Sequence, residues 1–234
     1  MRRFPIAASS RWRPPTLVRS DVRGCGINHL GIAPGPDGLP RCWWGVSAPD
    51  YLEYHDREWG RPVRDDRGMY ERLTLEAFQS GLSWLTILRK RENFRAAFAG
   101  FDPHRVARFG DDDRARLLSD AGIVRNRAKI DAAIANAAAV AAMEDAGESL
   151  AELVWAHAPA PPARAPEPGQ IAAETPESRA LARELKRRRF RFVCPTTVYS
   201  TMQACGVVND HLAGCCVRED VERDRRGSSR GDGG

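Results

Sequence analysis

With 234 residues, 42% of them hydrophobic and 29% charged, the chain is long enough for one domain with a sizeable core. Its longest apolar runs, such as Ala137 to Met143, fall far short of the roughly 18–20 residues that span a bilayer, which excludes a transmembrane helix and leaves no membrane partner. All but three of its 36 basic side chains are arginine, a bias that a GC-rich genome produces by itself, yet the net charge of +5 still favours an anionic partner.

Residues 1–40, rich in arginine and carrying Pro14, Pro15, Pro34, Pro36 and Pro40, read as a disordered or mis-assigned N-terminal extension. The body begins at Arg41, where aromatic residues crowd in, and runs to residue 217. Strand signals are nearly absent, so the fold class expected is all-α. Asp65 or Asp66 caps a helix carrying Met69, Leu73, Ala77 and Ser80 at helical spacing, and Gly81 ends it. Ser83 caps a second helix with Leu85, Leu88, Phe94 and Phe98 turned inward. Asp102-Pro103 opens a third that ends at Gly110, and Asp111 to Asp113 enrich the first turn of a fourth.

Leu117 to Ile130 reads as a helix end, a turn centred on Gly122 and a new helix continuing through Ile134 and Val140. Such a hairpin can offer backbone N–H groups to a phosphate oxygen, with Arg125, Arg127 and Lys129 adding charge; an ordinary antiparallel helix pair has the same pattern. Residues 156–174 form a proline- and alanine-rich surface loop. Thr175-Pro176 opens a long helix through Lys186, Pro195 starts another that stops near Gly206, and residues 218–234 read as a disordered tail. The six cysteines, in a chain of this size with no apolar signal-peptide core, read as reduced thiols of a cytoplasmic protein.

Two constellations carry chemistry. Cys42 and His55 lie thirteen residues apart near one end of the body, and His211 and Cys215 lie four apart near the other, so that the second pair shares one face of a helical turn. Two Cys and two His suit tetrahedral zinc, and a closed set of four protein ligands points to a structural metal; small buried thiols and a hydrogen-bonded histidine would have the same spacing. The second constellation centres on Glu76, which the helical period turns towards the apolar face of Met69, Leu73 and Ala77, a costly position unless the carboxylate is paired or used. Trp44, Tyr51, Tyr54, Trp59 and Trp84 supply enough rings for a stacking slot, and a slot with one anion at its edge suits a cationic heterocycle. The alternative is an aromatic core with Glu76 paired to one of the many arginines.

From Arg41 to Cys216 the sequence resembles the bacterial 3-methyladenine DNA glycosylase I family of the helix-hairpin-helix superfamily. The likeness is carried by Arg41-Cys42, Tyr54-His55-Asp56, Glu58-Trp59-Gly60, Leu75-Glu76, Gly81-Leu82-Ser83-Trp84, Lys90-Arg91-Glu92-Asn93, Asp120-Ala121-Gly122-Ile123, Met202-Gln203-Ala204-Cys205-Gly206 and Asn209-Asp210-His211 with Gly214-Cys215-Cys216. The resemblance implies a helix-hairpin-helix glycosylase fold and a structural zinc held by Cys42, His55, His211 and Cys215, joining the two ends of the domain. It implies a base-reading Glu76, with Trp44, Tyr54, Trp84, Tyr51 and Trp59 around the base. It also implies DNA-backbone contacts from Gly122, Arg125, Arg127 and Lys129. The activity implied is a monomeric, monofunctional enzyme that releases 3-methyladenine from alkylated double-stranded DNA. A zinc-stapled module that binds damaged DNA without releasing a base would share the basic charge and the hairpin, but has little use for both Glu76 and Trp84. Arg189 and Cys194 stand where the family usually has glycine; if either position needs a positive φ, the substitution costs roughly 1 kcal/mol or more there.

Overall fold

A computed structural model describes residues 29–162 and 164–227. Its elements in chain order are a ribbon of β1 (Ile32–Pro34) and β2 (Pro40–Cys42), then α1 (Pro49–Arg57), α2 (Asp66–Gln79), α3 (Trp84–Ala97), α4 (Pro103–Val106) and α5 (Asp111–Ser119). These are followed by α6 (Arg127–Asp145), α7 (Leu150–Trp155), α8 (Pro176–Arg187), α9 (Pro195–Ala204) and α10 (Arg218–Gly227). The fold is all-α, as expected.

The helices start where side chains can satisfy their first amides. Asp65 accepts from the Gly68 N–H at the head of α2, Ser83 from Thr86 at α3, Asp102 from Arg105 at α4, Asn126 from Lys129 at α6 and Thr175 from Ser178 at α8. The middle of α2 is buried without interruption from Leu73 to Phe78, which makes this helix the axis of the molecule; α3, α6, α7 and α9 pack around it. Tyr70 donates its hydroxyl proton to the Ala133 carbonyl at 2.9 Å, tying α2 to α6. Phe78, Phe94, Phe98 and Phe101 form a run of ring contacts between α2 and α3, all fully buried.

The structure corrects the sequence expectations at several places. Ile87, not Leu85 or Leu88, is the fully buried side chain early in α3, whereas Phe94 and Phe98 are buried as expected. The third helix stops at Val106 and does not reach Gly110, which sits at the head of α5. The ordered body reaches upstream of Arg41, because β1 pairs antiparallel with β2 in the register Ile32 to Cys42. The prolines and glycines read as disorder are the chemistry of a tight connection: Gly38 has φ +79°, the Gly35 N–H donates to Leu39, and Asp37 is paired with Arg41. Residues 218–227, expected in the disordered tail, form α10 because Val221 is completely buried and Arg225 donates to the carbonyls of Gly206 and Val207 just past α9. The rest of the expected extension and tail, residues 1–28 and 228–234, lies outside the described residues. The 156–174 loop docks through the Pro166 carbonyl, which accepts from the Ala213 N–H at 3.2 Å.

Candidate metal centre and aromatic pocket

The ends of the body meet at a buried group of four side chains. Cys42 leaves β2, His55 lies in the last turn of α1, and His211 and Cys215 lie on the segment between α9 and α10. Cys42, His55 and His211 are fully buried and Cys215 nearly so, and one donor atom from each lies within 4.8 Å of all the others. Cys215 Sγ stands 3.5 Å from His55 Nε2 and 3.6 Å from His211 Nδ1, and Cys42 Sγ stands 3.8 Å from His211 Nδ1. Metal–donor bonds of roughly 2.0–2.3 Å place the donors of a tetrahedron roughly 3.3–3.8 Å apart, so these separations fit a metal ion and the donor set suits zinc.

The surrounding hydrogen bonds fit the same use. His55 Nδ1 donates to Asp56 at 2.7 Å, and His211 Nε2 donates to the Trp59 carbonyl at 3.1 Å, which turns the remaining nitrogen of each ring towards the thiols. Asp56 is itself clasped by the Arg41 guanidinium. Burial holds His211 below the ordinary imidazole range, in the neutral form that binds metal. The Cys42 thiol and both imidazoles hydrogen-bond to Cys215 and favour its thiolate.

Next to this group is an aromatic cluster. Trp44 meets Tyr51 edge-on at 5.8 Å between centroids, Trp59 at 5.0 Å and Tyr54 at 6.4 Å, and Tyr54 lies 5.4 Å from Trp84. Trp44 and Trp59 also pack against His55 and His211 respectively. The five rings named from the sequence therefore form one assembly. Its Trp44 and Trp59 rings pack against the Cys/His group, and Tyr54 lies within electrostatic reach of Glu76.

Glu76 is 7% exposed, and among the described residues no hydrogen bond or ion pair reaches its carboxyl. Arg72, one turn earlier on α2, meets Glu58 at 3.2 Å and Glu71 at 3.6 Å but leaves its Nη1 without a hydrogen bond among the described residues, and Glu58 in turn is held by Arg91. Without a hydrogen bond or close ion pair, the carboxyl is pushed up to about 8 by burial, against the pull of Arg72. Burial and the neighbouring Glu76 likewise push the Tyr54 hydroxyl well above its usual range. The Trp84 indole N–H is buried without a partner among the described residues. An unpaired acceptor and an unpaired donor beside aromatic faces can together take a flat, cationic, hydrogen-bonding ligand. Arg72 was not singled out in the sequence; its i, i+4 spacing to Glu76 is the signal that points to it.

The expected DNA-backbone set divides. Arg125 and Arg127 are exposed at the hairpin between α5 and α6. Gly122 does not offer a free amide, because its N–H donates to the Asp120 carboxylate at 2.7 Å; its smallness matters instead, since a Cβ there would meet that carboxylate at 2.9 Å and Asn93 at 3.1 Å. Lys129 is buried and cannot reach a phosphate: its ammonium donates to the Phe78 carbonyl at 2.8 Å and to Ser80, closing the C-terminal end of α2, and burial lowers its pKa.

Comparison with known proteins matches this arrangement. A family model described as methyladenine glycosylase matches residues 44–219. DNA-3-methyladenine glycosylase 1 of Escherichia coli (strain K12) is 47% identical over 180 residues, covering 76% of this chain and 96% of its own. DNA-3-methyladenine glycosylase of Haemophilus influenzae is 40% identical over 177 residues, covering 75% and 96%. A crystal structure of 3-methyladenine DNA glycosylase I superposes with a TM-score of 0.72 at 49% identity over 75% of this chain and 98% of that one. A Staphylococcus aureus structure concerned with 3-methyladenine recognition superposes with 0.73 at 30% identity over 82% and 98%.

Proposed function

This chain belongs to the methyladenine glycosylase family, and from that membership we propose that it is a monofunctional DNA glycosylase of base excision repair. It hydrolyses the bond between the deoxyribose and 3-methyladenine in alkylated double-stranded DNA and leaves an abasic site. The observation that carries this reading is the buried Glu76 carboxyl, with no hydrogen bond of its own, near Tyr54, whose ring meets that of Trp84.

Methylation at N3 makes the adenine in DNA cationic. As the C1′–N9 bond breaks, its electron pair returns to the ring and cancels the charge, so the base leaves without being protonated by the protein. Water completes the substitution at C1′ and gives its proton to solvent. The protein must provide access and selectivity: the nucleotide rotates out of the helix at a cost of about a few kcal/mol and enters the slot, where rings offer cation–π attraction of about 0.5–2 kcal/mol each. Glu76 accepts a hydrogen bond from the exocyclic amine.

The raised pKa adds a selection step. Burial raises the Glu76 pKa in the empty pocket and so favours its protonated form there. A cationic base favours the ionised carboxylate, whose proton passes to solvent as the base enters; neutral adenine offers no such charge, and its glycosidic bond is stronger.

Cys42, His55, His211 and Cys215 would hold a structural zinc ion, which supplies a tetrahedral crosslink between the ends of the domain and no open position for water. The hairpin between α5 and α6 serves as the helix-hairpin-helix element, with Arg125 and Arg127 towards the phosphates. The chain acts as a monomer in the cytoplasm. The test is chromatography of bases released from dimethyl-sulfate-treated duplex DNA. Selective release of 3-methyladenine without strand cleavage is expected, and binding without release by the folded, zinc-loaded protein would overturn the proposal in favour of a damage-binding module.

A further inference from the structure

Helix α3 begins at Trp84, a wall of the aromatic pocket, and two turns further along it carries Lys90 and Asn93. The Lys90 ammonium donates to two successive main-chain carbonyls of the α5–α6 hairpin, Ala121 at 2.8 Å and Gly122 at 3.2 Å, and the Asn93 amide donates to the Gly122 carbonyl at 3.3 Å. From the other edge the Asp120 carboxylate accepts the Gly122 N–H, and Gly122 leaves no room for a side chain between Asp120 and Asn93. The hairpin tip is thus gripped on both edges, and the exposed groups left to meet a phosphate are Arg125 and Arg127, just beyond it. A helix rises 1.5 Å per residue, so Lys90 and Asn93 sit roughly 9 and 14 Å along one rigid rod from Trp84.

We propose that Lys90, with Asn93, is a positioning residue that holds the DNA-facing hairpin in register with the base pocket through α3. Flipping places a base and its flanking phosphates at fixed separation, so the pocket and the hairpin must be set relative to one another before DNA arrives; a charge-assisted pair to main-chain carbonyls on a helix shared with Trp84 does this. The inference rests on the reading of the hairpin as the DNA contact.

The experiment compares wild type, Lys90→Met and Asn93→Ala, all zinc-loaded. It measures affinity for a duplex containing an abasic analogue at several salt concentrations, binding of free 3-methyladenine by tryptophan fluorescence, and KM and kcat on alkylated DNA. Loss of a charge-assisted hydrogen-bond pair predicts about tenfold weaker DNA binding and a matching rise in KM for Lys90→Met, and about threefold for Asn93→Ala. Free-base affinity, kcat at saturation and the slope of log affinity against log salt stay at wild-type values. Unchanged DNA affinity in both variants overturns the proposal. A salt slope shallower by about one overturns it too, because Lys90 would then be a direct phosphate contact. Loss of free-base binding would mark a general folding role and overturn it as well. Release of 3-methyladenine by wild type separates this inference from its foundation: without release the proposed reaction fails, whereas release together with an unaffected Lys90→Met overturns only the assignment to Lys90.

Discussion

Glu76 is destabilising to the empty protein. Its carboxyl is neutral when folded up to about pH 8 but ionises near the ordinary carboxylate value, 4.5, when unfolded. A group whose pKa is raised by folding favours the folded state below its unfolded pKa and loses that advantage as pH rises through the folded value. Stability is therefore expected to fall between pH 4.5 and about 8, by up to about 1.4 kcal/mol per pH unit from this group. Glu76→Gln, which cannot ionise, removes that slope and raises Tm at pH 8 relative to wild type while impairing base release. Calorimetry of both proteins across this range checks it, and parallel pH profiles would show that Glu76 does not titrate in it. Activity at the cost of stability is common where a buried ionisable group waits for its ligand. The sequence displayed half of this: helical period turned Glu76 inward, but nothing in the spacing revealed that Arg72 is engaged by Glu58 and Glu71 and leaves Glu76 unpaired.

A second residue carries strain of another kind. Arg189 has φ +71° and follows the end of α8, where its N–H donates to Lys186 and that of Phe190 to Leu185, the bonding of a helix ending that favours glycine. Cys194, the other position where glycine was expected, has φ −72° and heads α9 without strain. Arg189→Gly is expected to stabilise by about 1 kcal/mol and Cys194→Gly to give no such gain, as measured by urea denaturation.

Among the elements, the helices with side-chain caps were legible because a cap is a local signal: Asp65, Ser83, Asp102 and Thr175 announce their helices within three residues. What escaped depends on distant partners. The β1–β2 ribbon carries Cys42 into the buried Cys/His group, and α10 is held in place because Val221 packs against Gly60 while Asn209 and Arg61 pair with Glu222 and Asp224. A polar tail with one buried valine carries no periodic pattern that composition could detect. Gly206 shows the same dependence, since with φ +71° a Cβ there would come within 2.5 Å of the Gly60 carbonyl. Val221→Ala is expected to cost about 2 kcal/mol, and deletion of residues 218–227 to lower Tm further. Thermal melts of the two variants test this, and an unchanged Tm on deletion would show α10 to be dispensable.

At the scale of the whole molecule, four side chains spread from Cys42 to Cys215 close nearly the full length of the body on itself. Zinc bound there adds its binding free energy to folding, so chelation should lower Tm and make the transition depend on zinc concentration; a Tm indifferent to chelator would remove the structural role. His55→Ala should reproduce the effect of chelation even when zinc is in excess. The two halves of the Cys/His group were visible in the sequence as separate pairs, and only the fold shows that Trp44 and Trp59 join this group to the rest of the ring assembly, so that loosening one is expected to disturb the other.

The measurement that bears most directly on the function is single-turnover release of 3-methyladenine from dimethyl-sulfate-treated duplex DNA, comparing wild type with Glu76→Gln after both are shown to be folded and zinc-loaded. Rapid, selective release by wild type and a rate reduced about tenfold or more in the variant are expected, the loss of one hydrogen bond to a charged group. Equal rates would remove Glu76 from the reading of the base, and no release by wild type would contradict the glycosylase assignment itself.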